Sequence, residues 1–321
     1  MKRRIAALFS IGALALSLSA CSSSSDKADD GKTTAAEPTV VVSTEGMPTV
    51  NNSGDIPQIV FPDSKAPADL QVAVLEEGKG AEIAKDDWVS VDYVGTVWGS
   101  DEPFDSSYSR SVPLTMSLTQ LVPGWGYGLE GRHVGDKLLL SIPPEYGYGS
   151  EGQPAAGIGG TDTIVFYIDI HQAWTANASG QKDATVEVKA EDLPIEIDGG
   201  IGEPITTLKV KEGSAEPTEL TMRVMARGTG TEIGATDTIY YQVAQAYWDN
   251  SNSVTTWAKD GEEVKVGVQN GPIGTGTILD GLAGIPVGSR VFLEVPADTE
   301  NGTPAVAAIV DVLGATPTSV N

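Results

Sequence analysis

The chain has 321 residues, 40% of them hydrophobic, which suffices for two domains of ordinary size. Its formal net charge of −24 disfavours nucleic acid and anionic lipid headgroups as partners. Cys21 is the sole cysteine, which excludes an intramolecular disulfide and leaves the folded part without a cysteine ligand or nucleophile.

Lys2, Arg3 and Arg4 form a basic start, and Ile5 to Leu18 an apolar run too short for a comfortable membrane span. Leu18-Ser19-Ala20-Cys21 then resembles a bacterial lipobox. That resemblance implies removal of residues 1–20 as a signal peptide and diacylation of Cys21. The mature chain would then be anchored by lipid, outside the cytoplasm, to the cell membrane. An ordinary signal peptide with an incidental cysteine is the alternative. Residues 21–43 read as a flexible tether, since SSSSDKADDGKTTAAEPTV (22–40) holds too little apolar surface to order itself. Its reach is about 25 Å.

Beyond the tether the chain repeats itself. DLQVAVLEEGKGAEIAKDDWVSVDYVGTVW (69–98) matches ELTMRVMARGTGTEIGATDTIYYQVAQAYW (219–248) in its apolar, glycine and tryptophan positions. GLEGRHVGDKLLLSIP (128–143) matches GLAGIPVGSRVFLEVP (281–296), and IVFYIDI (164–170) matches VAAIVDV (306–312). The predicted organisation is a first domain over 44–174, a linker over 175–189, a second domain over 190–315 and a tail over 316–321.

In the first copy Val89, Val91 and Tyr93 alternate with Ser90 and Asp92. Leu138, Leu140 and Ile142 share one face, and Ile164, Phe166, Ile168 and Ile170 another. Period-two alternation predicts half-buried antiparallel strands, so the fold class is α+β and mostly β. The one helical candidate runs from about Trp125 to Arg132, and Gly124, Gly126 and Gly128 weaken it. So short a helix needs packing to persist, and Trp125 is its expected anchor.

Five ordered motifs carry a family resemblance: VDYVG (91–95), PFDSSYSR (103–110), LVPGWGYGL (121–129), VGDKLLLSIPPEYGYG (134–149) and TDTIVFYIDI (161–170). Over about 68–172 the chain resembles an FKBP-type peptidyl-prolyl cis–trans isomerase domain. The resemblance implies a bent antiparallel sheet around a short helix, and with the repeat it implies two such domains in tandem. It also implies a pocket with Trp125 as base and Tyr93, Asp105 and Tyr148 as the other catalytic residues. Phe104, Leu121, Val122, Ile158 and Phe166 would be its walls, and Arg110 would hold Asp105 and Tyr93.

The implied activity needs no cofactor and no metal. The implied partners are proline-containing peptides, unfolded exported proteins and a macrolide ligand. His133 and His171, the only histidines, fall outside the pocket motifs. The adjacent Asp86 and Asp87 read as a turn. Three positions depart from the family pattern: Gln153, the glycine-rich Gly157-Ile158-Gly159-Gly160, which predicts a more mobile rim, and Leu114.

The second copy keeps the frame and loses the site. Val243 stands for Tyr93 and Ile278 for Trp125. Trp257 is read at the Phe104 place, with Ala258 at that of Asp105. The stretch after Pro296 is too short to hold a YGYG segment. Catalysis is therefore expected in the first domain alone. Tyr240, Gln242 and Phe292 are expected on the strand face opposite Ile239, Tyr241, Leu293 and Val295, exposed as an interface or covered by the lead-in strand. The alternative to an enzyme is a non-catalytic, membrane-tethered module that binds peptides.

Overall fold

The computed structural model describes residues 37–259 and 266–317. The signal peptide, Cys21 and most of the tether lie outside the described residues. The first part of the chain forms β1 (Val41–Val42), β2 (Thr49–Asn51), β3 (Gln58–Val60), β4 (Gln71–Glu76), β5 (Trp88–Val97), β6 (Pro103–Ser106), β7 (Leu114–Ser117), α1 (Pro123–Leu129), β8 (Lys137–Ile142) and β9 (Ile164–Trp174). The second forms β10 (Thr185–Val186), β11 (Ile195–Ile197), β12 (Leu208–Val210), β13 (Thr221–Arg227), β14 (Asp237–Tyr247), β15 (Ser253–Thr255), β16 (Gln269–Pro272), β17 (Arg290–Val295) and β18 (Val306–Pro317).

Two seven-stranded sheets result. One is ordered β1-β4-β8-β9-β5-β6, with β7 also on β5; the other is ordered β10-β13-β17-β18-β14-β15, with β16 also on β14. Apart from the parallel pair β1–β4, their ladders are antiparallel. Alternation sorts the side chains as the sequence predicts. Val89, Val91, Tyr93, Leu138, Leu140, Ile142, Ile164, Phe166, Ile168 and Ile170 share one buried core with Trp125 and Leu129. Part of the outer face of that sheet is covered by Met47 and by Ile59 of the β2–β3 hairpin, against Ala73, Leu139, Val165 and Tyr167.

Three expected boundaries move. β1 lies inside the stretch read as tether: Val40 packs on the inner core, and Gln71 Nε2 donates to the carbonyls of Ser43 and Glu45 at 2.8 and 2.9 Å. The linker is part of the second sheet's cover. Gly180 N donates to Asp311 Oδ2 at 2.7 Å, and β10 adds to β13. The tail begins inside β18, which runs to Pro317.

The second sheet's outer aromatics are covered. Phe292 packs under Leu193, Ile195, Ile205, Leu208 and Val210 of the lead-in segment. Tyr240 meets the first sheet: its ring lies 4.9 Å from that of Trp174, and its hydroxyl bonds to Ser90 Oγ at 2.9 Å. Trp88 and Val268 complete this apolar contact, and Asn270 Nδ2 donates to Thr115 Oγ1 at 2.8 Å on β7.

α1 starts at Pro123, whose fixed φ suits a first helical position. Two of its glycines face the sheet. A Cβ on Gly124 would lie 2.6 Å from Ile142 Cγ2, and one on Gly128 2.4 Å from Leu140 Cδ1. Their absence of side chain lets the helix approach β8 and presses Trp125 into the core, where it is 2% exposed.

Gly128→Ala therefore sets propensity against packing. Alanine is the better helix former by about 1 kcal/mol, yet the new methyl collides with Leu140. Overpacking costs about 1–3 kcal/mol, so the variant is expected to melt at lower temperature than the wild type in thermal unfolding followed by tryptophan fluorescence. A higher melting temperature would show that the close approach is dispensable.

Candidate active site

Trp125 lies at the centre of an aromatic cluster on the inner face. Its ring lies 5.0 Å from Phe166 and 5.9 Å from Tyr93, both edge-on, and Phe104 meets Phe166 edge-on at 5.6 Å. Ile158 is buried in the same core, with Leu121, Val122 and Phe104 packed against it as partly buried walls. Every apolar residue expected in the pocket is in this cluster.

The polar rim forms at one edge. The Tyr93 hydroxyl donates to Asp105 Oδ2, and Arg110 Nη1 donates to Asp105 Oδ1. Arg110 Nη2 donates to Tyr93 Oη at 2.9 Å, and the Ser106 amide donates to Asp105 Oδ1 at 2.8 Å. Burial, then the bond to Asp105, pushes the Tyr93 phenol up to about 12. Burial alone would raise the Asp105 carboxyl; the bonds from Tyr93 and Arg110 outweigh it and hold it below the ordinary range. The rim thus keeps one charge state from roughly pH 5 to 9. Tyr148 caps the turn at Gly149–Glu151 and is 36% exposed. Its hydroxyl has no hydrogen-bond partner among the described residues.

The glycine-rich rim segment is tied down. Gln153 N donates to Ile158 O at 2.8 Å, Ile158 N to Gln153 O at 3.1 Å, and Gly159 N to Asp162 Oδ2 at 2.8 Å. These bonds hold the backbone on either side of Ile158, which is buried in the inner core.

Sequence reasoning missed the support behind the rim. Ser107, wholly buried, accepts from Tyr93 N at 2.9 Å and donates from Oγ to Asp92 Oδ1 at 2.7 Å. Asp92 Oδ2 is bonded to His171 Nε2 at 2.8 Å. His171 sits where the β5–β9 register slips between Ser90 and Val91, a bulge that turns it to the outer face beside Asp92. The DSS run pointed to Ser107; nothing in the alternation pattern marks the bulge.

The second sheet corrects one alignment. Gln245 pairs with Val254 as Gly95 pairs with Asp105, so Val254, not Ala258, stands at the aspartate's place. Trp257 lies on the outer face, with Nε1 donating to Ala178 O at 2.8 Å, and takes no pocket position. The register moves by four residues, because β15 ends at Thr255 and Trp257 and Ala258 lie beyond it.

An apolar floor, aromatic walls and a few convergent donors suit one kind of reaction. The planar amide's resonance sets a rotation barrier of about 18–20 kcal/mol. The twisted amide is less charge-separated, so a dry aromatic surface favours it over the planar form. No proton moves to or from the reacting bond.

Residues 79–171 match the family model of FKBP-type peptidyl-prolyl cis-trans isomerases. The chain is 35% identical over 116 residues to an FK506-binding protein of Streptomyces anulatus, over 36% of this chain and 94% of that one. It is 40% identical over 119 residues to a probable FK506-binding protein of Corynebacterium glutamicum, over 36% and 98%. It is 41% identical over 118 residues to the FKBP-type isomerase FkpA of Escherichia coli, over 36% and 43%. The chain belongs to the FKBP-type peptidyl-prolyl cis–trans isomerases, and its activity is rotation about X–Pro peptide bonds.

Two substitutions test the electrostatics. Arg110→Leu removes a donor and a positive charge from Asp105. The Asp105 carboxyl pKa, followed by carbon-detected NMR, should rise above its wild-type value; an unchanged value would remove Arg110 from the rim. For His171, burial alone would lower the pKa, but the Asp92 bond and the charges of Asp169 and Asp92 outweigh it and raise it. The Asp92 carboxyl is held low by His171 and Ser107 against burial. Stability from a raised histidine is full below its unfolded pKa and is lost as pH rises through the folded one. That from a depressed aspartate is lost as pH falls through its folded pKa. His171→Leu, which mimics Leu313, should therefore cost about 1 kcal/mol between about pH 4 and 6.5. The difference in denaturation midpoint should shrink above that window. A constant difference would assign the cost to packing.

Proposed function

We propose that catalysis resides in the first sheet alone, that the second sheet is a degenerate copy of the same domain, and that the chain acts on exported proteins while anchored through a lipid on Cys21. The observation that carries the first statement is the closed set Tyr93–Asp105–Arg110 over Trp125. Register supports Val243 and Val254 at the places of Tyr93 and Asp105, and the offset of the sequence repeat supports Ile278 at that of Trp125. The turn joining β17 to β18 has no counterpart of the segment that carries Tyr148. Without platform or donors an X–Pro segment gains nothing there.

In the first pocket the proline ring would lie on Trp125, between Phe104, Ile158 and Phe166. Tyr148 would donate to a substrate carbonyl, and Arg110 would keep Tyr93 and Asp105 in place. A macrolide would occupy the same apolar concavity. The basic and apolar N-terminus with its lipobox-like LSAC supports export and lipidation. Among the described residues no helix is long and apolar enough to cross a membrane.

The test is cis–trans exchange of an X–Pro peptide by NMR with the full chain. Asp105→Ala and Tyr148→Phe should each lower the catalysed rate about tenfold or more. Val254→Ala should leave it unchanged. Residual catalysis in Asp105→Ala that vanishes only after a change in the second sheet would place activity there too.

A further inference from the structure

The two sheets treat their outer faces differently. In the second sheet the far edge of β13 is paired. β10 joins it at Ala226 and Arg227, and the amides of Glu187 and Val188 donate to Met225 O at 2.9 and 3.1 Å. The chain before β10 crosses the sheet, placing the Gly180 amide on Asp311 Oδ2 at 2.7 Å. The β11–β12 loop folds over Arg290, which donates to the carbonyls of Gly200 and Glu203 at 2.6 Å each. Arg290 and Asp311 pair at 2.6 Å and are 1% and 0% exposed. A cation on β17 and a carboxylate on β18 thus hold main chain, one by its carbonyls and the other by an amide.

The first sheet has the same two charges in the same register. Lys137 faces Asp169 across β8–β9 as Arg290 faces Asp311 across β17–β18. Among the described residues no comparable loop covers them. β1 pairs with β4 only at Gln71 and Val72, so among the described residues no strand pairs that edge from Val74 to Glu76. Leu75 is 42% exposed there. A cavity of about 410 Å3 opens beside it, lined by Met47, Val50, Leu75, Glu76, Lys137 and Tyr167 among others. Lys137 turns to the exposed Glu76 at 3.0 Å, and the Asp169 carboxylate accepts no hydrogen bond among the described residues.

We propose that the open edge of β4 and the groove lined by Lys137, whose cross-strand neighbour is Asp169, bind an extended segment of another, unfolded polypeptide, chiefly by its main chain. The inference rests on the correspondence of the two sheets. An unpaired strand edge beside an apolar groove is a ready template for strand addition. The protein's own N-terminal segment approaches from the other side, where Val40 enters the inner core and Glu37 pairs with Lys85 at 3.1 Å beside Tyr127. A second copy is disfavoured by like charge: Glu76 and Glu77 lie on this edge, and Asp169 two strands in, of a chain with net charge −24. A bound segment would sit on the sheet face opposite Trp125, leaving the rest of the same polypeptide free to reach the pocket at raised effective concentration.

The test uses the full chain and a synthetic peptide of residues 175–188, TANASGQKDATVEV, which contains no proline to enter the catalytic pocket. Amide resonances of Val74 to Glu77, Lys137 and Asp169 should shift saturably on titration. Lys137→Glu and Leu75→Asp should each weaken binding about fivefold or more. Lys137→Arg should preserve binding, and exchange of an X–Pro peptide should be unchanged in all three. The proposal is overturned if the folded protein shows no saturable shift, or if shifts are confined to Tyr93, Trp125 and Tyr148. It is equally overturned if those amides shift on concentrating the chain alone, or if binding appears only after removal of residues 1–36. Because the groove is read with a proline-free peptide and the pocket with a proline peptide, failure of one reading leaves the other measurable.

Discussion

The site depends on one close approach, that of α1 to β8. A helix of seven residues gains too little from its own hydrogen bonds to persist, and glycines weaken it further. Here the glycines are what permits its anchorage. With no Cβ at Gly124 and Gly128, the helix axis drops onto Ile142 and Leu140. Trp125, between them in sequence, is then forced beneath Tyr93 and Phe166. The local penalty and the functional surface have the same cause.

From that floor the order runs outward. Tyr93 touches Trp125 with its ring and Asp105 with its hydroxyl, so it joins apolar base to polar rim. Its backbone amide is held by Ser107, and Ser107 is held by Asp92. In the second sheet Thr256 repeats the stitch: its hydroxyl accepts from Val243 N at 2.9 Å, with Gln242 where Asp92 stands. The same stitch is therefore made in the second sheet without the carboxylate. Sheet architecture needs only alternation and the stitch; the pocket needs particular side chains added to it.

Much of this was legible in the sequence. Alternation places Val89, Val91 and Tyr93 on one face, and PFDSSYSR places Asp105 and Arg110 in reach of that face. Other features were not. The bulge at His171 leaves no periodic mark, because one extra residue is invisible until both partner strands are aligned. The β14–β15 register depended on loop length, which sequence similarity did not constrain, and so Trp257 was read into the wrong face. The linker left no packing signal in the sequence because it binds by backbone. Gly180 contributes an amide to Asp311, and Ala176 and Ala178 contribute carbonyls to Gln242 Nε2 at 3.3 and 2.8 Å. Main-chain recognition leaves little trace in side-chain composition.

That last point bears on how the two sheets divide their outer faces. Arg290 and Asp311 are removed from water, and such a pair is tolerable only when its remaining donors and acceptors are met. The protein meets them with its own chain, at Gly180, Gly200 and Glu203. Lys137 and Asp169 were spared that requirement by staying partly hydrated, at the cost of an uncovered groove and an unpaired edge. Natural sheets usually blunt such an edge, and here Glu76 and Glu77 supply charge that deters indiscriminate pairing. Charge without closure leaves the edge selective. It stays open to a segment whose main chain can satisfy Lys137 and Asp169, and is unfavourable to another acidic copy of the same chain.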